Sequence, residues 1–149
     1  MRHRREAPSS PGEDRPPLSL FVDSSVWFAA VVARDRWNAR AKAILAEAQP
    51  IVTTDHVVVE TWLLLNSRYH RHSAERFWDG IRRGGARIEM ITAADFEAAW
   101  AIGEAFSIVD RTSLAVMERL GLTRAASFDD DFAVYRYGRR REKAFEVLR

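Results

Sequence analysis

The pattern that most restricts this chain is a short apolar run that ends on an acid or hydroxyl and gives way at once to helical spacing. Leu18-Ser19-Leu20-Phe21-Val22 stops at Asp23-Ser24-Ser25, after which Val26, Trp27, Phe28, Val31 and Val32 recur on one helical stripe. Either serine is placed to cap that helix. A second helix fits residues 36–48 through Trp37, Ala41, Ile44, Leu45 and Ala48, with Pro50 as its stop. Ile51-Val52-Thr53 reads as a strand. A long helix follows from Asp55 to Tyr69, and another through Phe77, Trp78 and Ile81 closes at Gly84-Gly85. Arg87 to Ile91 is a strand, and Thr92 with Asp95 resembles a capping box for the helix over Phe96, Ala99, Trp100 and Ile102. Ser107 with Asp110 repeats that arrangement for a helix that runs to Leu120 and closes on Gly121. Arg124 to Phe128 is a further strand and Phe145 to Leu148 a candidate last one. Strands this short, alternating with helices, predict an α/β domain in which helices flank a central, mostly parallel sheet.

One domain is enough for 149 residues. Residues 1–17 are polar and proline-rich, close on Pro16-Pro17, and are expected to be a disordered extension ahead of a domain over 18–149. The absence of cysteine removes disulfides, thiolate zinc sites and cysteine nucleophiles together, and suits a cytoplasmic protein. Met1 to Arg5 is basic like the head of a signal peptide, but the residues that follow are polar, and no apolar run approaches the ~20 residues of a membrane span. No membrane partner is expected.

Net charge is +2, yet Arg136 to Arg149 holds six Lys and Arg against two acids, so that segment is +4 and the remainder −2. A basic edge of this kind suits a polyanionic partner and suits a solvated tail equally well.

The telling residues are acids in places that penalise acids. Asp23 follows a strand directly, and Asp129 follows Ala125-Ala126-Ser127-Phe128. Ligand sites of open α/β sheets lie beyond the carboxyl ends of strands, so these two acids are placed to converge. Glu60 stands in Val57-Val58-Val59-Glu60-Thr61-Trp62-Leu63-Leu64-Leu65, which reads as a buried helix. A lone buried carboxylate is costly, and a bound cation removes the cost. Asp110 shares a helix face with Leu114 and Met117 and points to the core side. Singly, each has a bland reading as a turn residue, a first-turn acid or the partner of a buried arginine. Together, without Cys or His, they favour a hard cation such as Mg²⁺ or Mn²⁺ over zinc.

Asp23 in Leu20-Phe21-Val22-Asp23-Ser24-Ser25, Glu60 in Val57-Val58-Val59-Glu60-Thr61, Asp110 in Ile108-Val109-Asp110-Arg111-Thr112 and Asp129 in Ser127-Phe128-Asp129-Asp130-Asp131-Phe132 resemble the acidic motifs of PIN-domain ribonucleases. Within that family the chain looks most like the toxin of VapBC-type toxin–antitoxin pairs. The resemblance implies a PIN-like three-layer fold and Mg²⁺- or Mn²⁺-dependent hydrolysis of RNA. It also implies a cognate antitoxin and a homodimer. Asp23, Glu60, Asp110 and Asp129 would be the catalytic, metal-binding acids, with Ser24 and Ser127 supporting them by hydrogen bonds and Asp131 an outer helper. Members of the family begin almost on the first strand, whereas seventeen residues precede it here.

The rival readings are weaker. A receiver-type domain wants a pair of acids at the first strand, where this chain has Asp-Ser-Ser. A catalytically inactive PIN-like module that binds RNA or a partner would have no need of all four acids. His70-X-His72 with His56 lacks zinc spacing and a third ligand and reads as capping or surface polarity. The five tryptophans read as core or interface residues.

Overall fold

The structure is a computed structural model that describes residues 19–47 and 49–149. The extension expected over residues 1–17 lies outside the described residues.

Among the described residues thirteen segments follow one another. They are β1 (Leu20–Val22), α1 (Ser24–Val31), α2 (Asn38–Ala46), β2 (Ile51–Thr54), α3 (Asp55–Arg68), α4 (Arg71–Gly80), a wide π turn (Ile81–Gly85), β3 (Arg87–Glu89), α5 (Ala93–Ile102), α6 (Ile108–Leu120), β4 (Arg124–Ala126), α7 (Asp131–Val134) and β5 (Glu146–Leu148). The strands form one sheet in the order β3-β2-β1-β4-β5, every neighbouring pair parallel. β1 lies at the centre, with Leu20, Phe21 and Val22 opposite Arg124, Ala125 and Ala126 of β4. The chain order reverses between β1 and β4, and a crevice opens beyond the carboxyl ends of such a pair.

Parallel neighbours need crossovers, and the helices supply them. Right-handed crossovers put α1 to α4 on one face of the sheet and α5 and α6 on the other. α1 packs on α2 and α3, α3 on α4 and α5 on α6. α3 and α6 also touch, which brings the helices of Glu60 and Asp110 together. Leu20, Phe21, Val22, Val26, Ile44, Val57, Leu65, Leu114, Val116, Met117 and Phe132 are fully buried between these layers.

The helix starts show where sequence and structure part. The Thr92–Asp95 capping box is complete, and Asp95 is further clamped by Arg119 at 2.9 and 3.0 Å. At α6 only half of the expected box forms. The Ser107 hydroxyl accepts from Asp110 N–H at 3.2 Å, but the Asp110 carboxyl bonds the Asp131 carboxyl and the Ser107 side chain and does not complete the reciprocal box. Neither Ser24 nor Ser25 caps α1. Asp23 holds the N-cap position and makes no side-chain cap bond, because its carboxylate is engaged by hydroxyls from within. α6 closes as expected on Gly121, whose left-handed backbone (φ 66°) suits glycine.

The expectation of a buried α3 is corrected. Val57, Val58, Thr61 and Leu65 face the core, while Val59 and Leu63 are more than half exposed. The helix is apolar on two faces, and only one of them meets the sheet. Of the tryptophans, Trp27 alone is in the core; Trp37, Trp78 and Trp100 are on the surface, Trp100 at 79% exposure. β4 ends at Ala126, so Ser127 and Phe128 form the turn that carries Asp129.

Candidate active site

Asp23 is completely buried just beyond β1, the central strand. Its N–H bonds to Ala126 O of β4 (3.0 Å), so the two strand ends are tied at the residue that matters. Ser25 Oγ donates to Asp23 Oδ2 at 2.9 Å, and Ser127 Oγ donates to the same oxygen at 3.0 Å. Ser24 Oγ reaches Asp23 Oδ1 at 3.5 Å and makes a short hydrogen bond to Glu60 Oε1. The hydroxyls are themselves positioned. Ser25 Oγ accepts from Phe128 N–H (2.9 Å) and Ser127 Oγ from Asp129 N–H (3.2 Å). One hydroxyl network thus connects Asp23, Glu60 and the turn carrying Asp129.

Burial raises the Asp23 carboxyl above its ordinary range; the Ser25, Ser127 and Ser24 hydrogen bonds work against that, and the charge of Glu60 adds to it. Asp110, buried in the first turn of α6, is pushed up to about 8 by burial, by a hydrogen bond with the Asp131 carboxyl and by the charges of Asp23 and Asp131. Asp129, exposed at the rim, is raised by burial of part of its carboxyl and by the charges of Asp23, Asp131 and Asp130. The structure therefore brings the four expected acids into one electrostatic cluster and adds Asp131 to it by direct contact with Asp110. Glu60 is half-buried rather than enclosed. Its place is explained by the Ser24 hydroxyl, not by an apolar shell.

Among the described residues no Lys or Arg pairs with Asp23, Glu60, Asp110, Asp129 or Asp131, whereas Asp130 pairs with Arg149 at 2.8 Å and Asp95 with Arg119. Also among them, no three acids already close on one point as an ion's ligands would. What the site presents is an all-oxygen donor set of carboxylates and hydroxyls with excess negative charge, and a carboxyl pair that needs a shared proton or a cation. That chemistry fits a hard divalent ion.

Beside the acids runs a groove of about 640 Å³ whose lining includes Ser24, Glu60, Asp129, Phe128, Trp37, Arg36 and Arg68. Sequence reasoning missed its aromatic and basic wall, because Trp37 at helical spacing reads as core. It also missed Ser25, whose role as a second donor to Asp23 is signalled only by its place two residues after the acid. The histidines among the described residues stay outside the site. His70 caps α4, its Nδ1 accepting from Ser73 N–H (3.2 Å), and His56 contacts Thr112 and the ring of Phe96.

A parallel sheet in this strand order, with carboxylates gathered at the reversal point, defines the class, and the PIN domain family model matches residues 20–137. The chain belongs to the PIN-domain family. It is 40% identical over 121 residues to the 23S rRNA-specific endonuclease VapC20 of two Mycobacterium tuberculosis strains, an alignment spanning 76% of this chain and 92% of the relative. The crystal structure of VapC20, described as a Sarcin-Ricin loop cleaving toxin, superposes with a TM-score of 0.70 at 36% identity over 75% of this chain and 91% of that one. VapBC2 of Rickettsia felis, solved bound to a promoter DNA fragment, matches at TM-score 0.59 and 11% identity over 87% and 97% of the two chains, a likeness of fold alone.

Proposed function

We propose that this chain is a Mg²⁺- or Mn²⁺-dependent endoribonuclease, the toxin of a toxin–antitoxin pair, and that it cuts the sarcin–ricin loop of 23S rRNA. The observation that carries the reading is the cluster of Asp23, Glu60, Asp110, Asp129 and Asp131, none of them in an ion pair with a lysine or arginine among the described residues. The rRNA target is taken over from VapC20, which is similar along most of both chains.

Divalent ions, when bound, neutralise phosphate charge and lower the pKa of a water that attacks phosphorus. Asp23, Glu60, Asp110 and Asp129 would hold them. Asp131 would steady Asp110, and Ser24, Ser25 and Ser127 would fix the carboxylate oxygens so that their lone pairs face the crevice. The buried carboxyls bind protons readily, so loading with cation releases protons and strengthens as pH rises. Arg36 and Arg68 on the groove wall would attract the RNA backbone.

An antitoxin and a second copy of the chain are the protein partners of this reading. The exposed apolar face formed by Val59, Leu63, Trp78 and Met90 supports it as a surface with a partner to meet. No helix among the described residues is long and apolar enough to cross a membrane. The proposed place of action is the cytoplasm, where ribosomes are. The alternative, an inactive module on the same fold, leaves the hydroxyl-supported acids without a purpose. Incubating ribosomal RNA with the protein and Mn²⁺ tests the proposal. Cleavage lost in Asp23→Asn and Glu60→Gln and in EDTA is expected; cleavage that persists in Asp23→Asn would overturn it.

A further inference from the structure

The wall of the groove holds a feature that the acids do not explain. Phe128 stands between Ser127, which supports Asp23, and Asp129, and its backbone N–H is fixed on Ser25 Oγ. Its ring stacks on Trp37, with centroids 5.1 Å apart and planes 16° from parallel. The Arg36 guanidinium lies over the Trp37 ring at 5.0 Å. Trp37 is 38% exposed, so part of the indole stays open to the groove. Both rings line the same groove as Glu60 and Asp129.

We infer that Trp37, backed by Phe128, is a stacking platform for one unpaired RNA base next to the scissile phosphodiester. The inference deepens, and rests on, the ribonuclease reading above. A base covers the indole as a guanidinium does, but over a larger area, so Arg36 is displaced from the ring and freed for a neighbouring phosphate. Because Phe128 is one residue from both Ser127 and Asp129, a base seated here holds its phosphate at the acid cluster. A base inside an A-form duplex has both faces covered and cannot reach the platform. The substrate class is therefore looped or single-stranded RNA with a splayed nucleotide at the cut. Trp37 is a substrate-positioning residue, selective for an available base face rather than for a particular base.

The test uses a loop RNA cut by the full chain, together with copies carrying an abasic site at each nucleotide flanking the cut. Stacking of one base is worth about 5- to 150-fold. Trp37→Ala is expected to lose cleavage by about that factor on the intact RNA and nothing more on one abasic copy, while Trp37→Phe restores most of the rate. Binding of the same labelled RNAs in EDTA, read by fluorescence anisotropy, should show the same pattern without any cleavage. Equal binding of intact RNA by wild type and Trp37→Ala would overturn the platform. So would an equal loss by Trp37→Ala on intact and every abasic RNA, which marks a structural role. Failure of the wild type to cut any RNA, with the anisotropy pattern intact, would instead sink the ribonuclease reading and leave the platform standing.

Discussion

Ser127 and Asp23, 104 residues apart in sequence, meet at 3.0 Å where β4 and β1 end, the hydroxyl donating to the Oδ2 that Ser25 also holds. A fully buried carboxylate has lost its water, and these hydroxyls replace part of that hydration. The same Ser127 oxygen accepts the N–H of Asp129, so one side chain positions two acids of the cluster.

Ser127→Ala should therefore weaken cation binding by about 10- to 100-fold, as outer-shell losses commonly do, while the fold persists. Calorimetric titration with Mn²⁺, set beside the melting temperature, checks it. Wild-type affinity in the variant would show that Ser127 does not support the site.

Asp23→Asn removes a buried charge and keeps the side-chain shape. It should abolish RNA cleavage yet melt no lower than wild type in EDTA, because the charge it removes is one that burial disfavours. Cleavage assays and thermal melts on the same preparation read both effects.

The acid cluster also sets the pH dependence of stability. Asp110 is raised from 3.8 to about 8, first by burial and then by Asp131 and Asp23, and Asp23 and Asp129 are raised too. Carboxyls with raised folded pKa values bind protons more tightly folded than unfolded. The cation-free protein should then lose stability as pH climbs from about 4 to about 8. Melts in EDTA across that window should fall with pH, and the fall should be shallower in Asp110→Asn. Added Mn²⁺ should raise the melting temperature more at the upper end of the window than at the lower. A profile that rises with pH would contradict the folded-state placement of these acids.

Asp95 shows what an acid does when it is structural. Burial would raise its carboxyl, but Arg119 and the Thr92 hydrogen bonds overcome that and hold it below the ordinary range. Asp95→Ala loses the reciprocal cap and the ion pair, and should cost about 2 kcal/mol, the partly exposed Arg119 limiting the loss. Cleavage per folded molecule should not change. The stability that Asp95 confers is present above its unfolded pKa and lost as pH falls through the lower folded value. That fall lies on the opposite side from the one set by Asp110.

Local rules made the elements legible from sequence. The run over Leu20 to Val22, the Thr92–Asp95 box, Ser107 and Gly121 all act over four residues or fewer, so neighbouring residues contain the whole interaction. That Asp23 follows a strand and Asp129 lies in the turn after one was legible for a related reason, since the apolar runs before them mark the strand ends locally. Where the reasoning failed, distance was the cause. Glu60 was read from the apolar letters around it, but α3 exposes Val59 and Leu63, and the partner that explains Glu60 is Ser24, 36 residues away. Ser25 looked like a cap because a cap is the local use of a serine; its actual partner oxygen became available only when Asp23 turned inward. Trp37 looked like core because helical spacing records which residues share a face, not whether that face is covered.

By itself, then, the sequence determined the alternation of strands and helices and the kind of chemistry available, carboxylates without thiols. Those follow from backbone preference and side-chain type, which need no partner. The strand order β3-β2-β1-β4-β5, the contact of Asp110 with Asp131 and the joining of Asp23, Glu60 and the Asp129 turn through serine hydroxyls were decided by tertiary structure. Each depends on which surfaces pack together, and packing is a property of the whole chain.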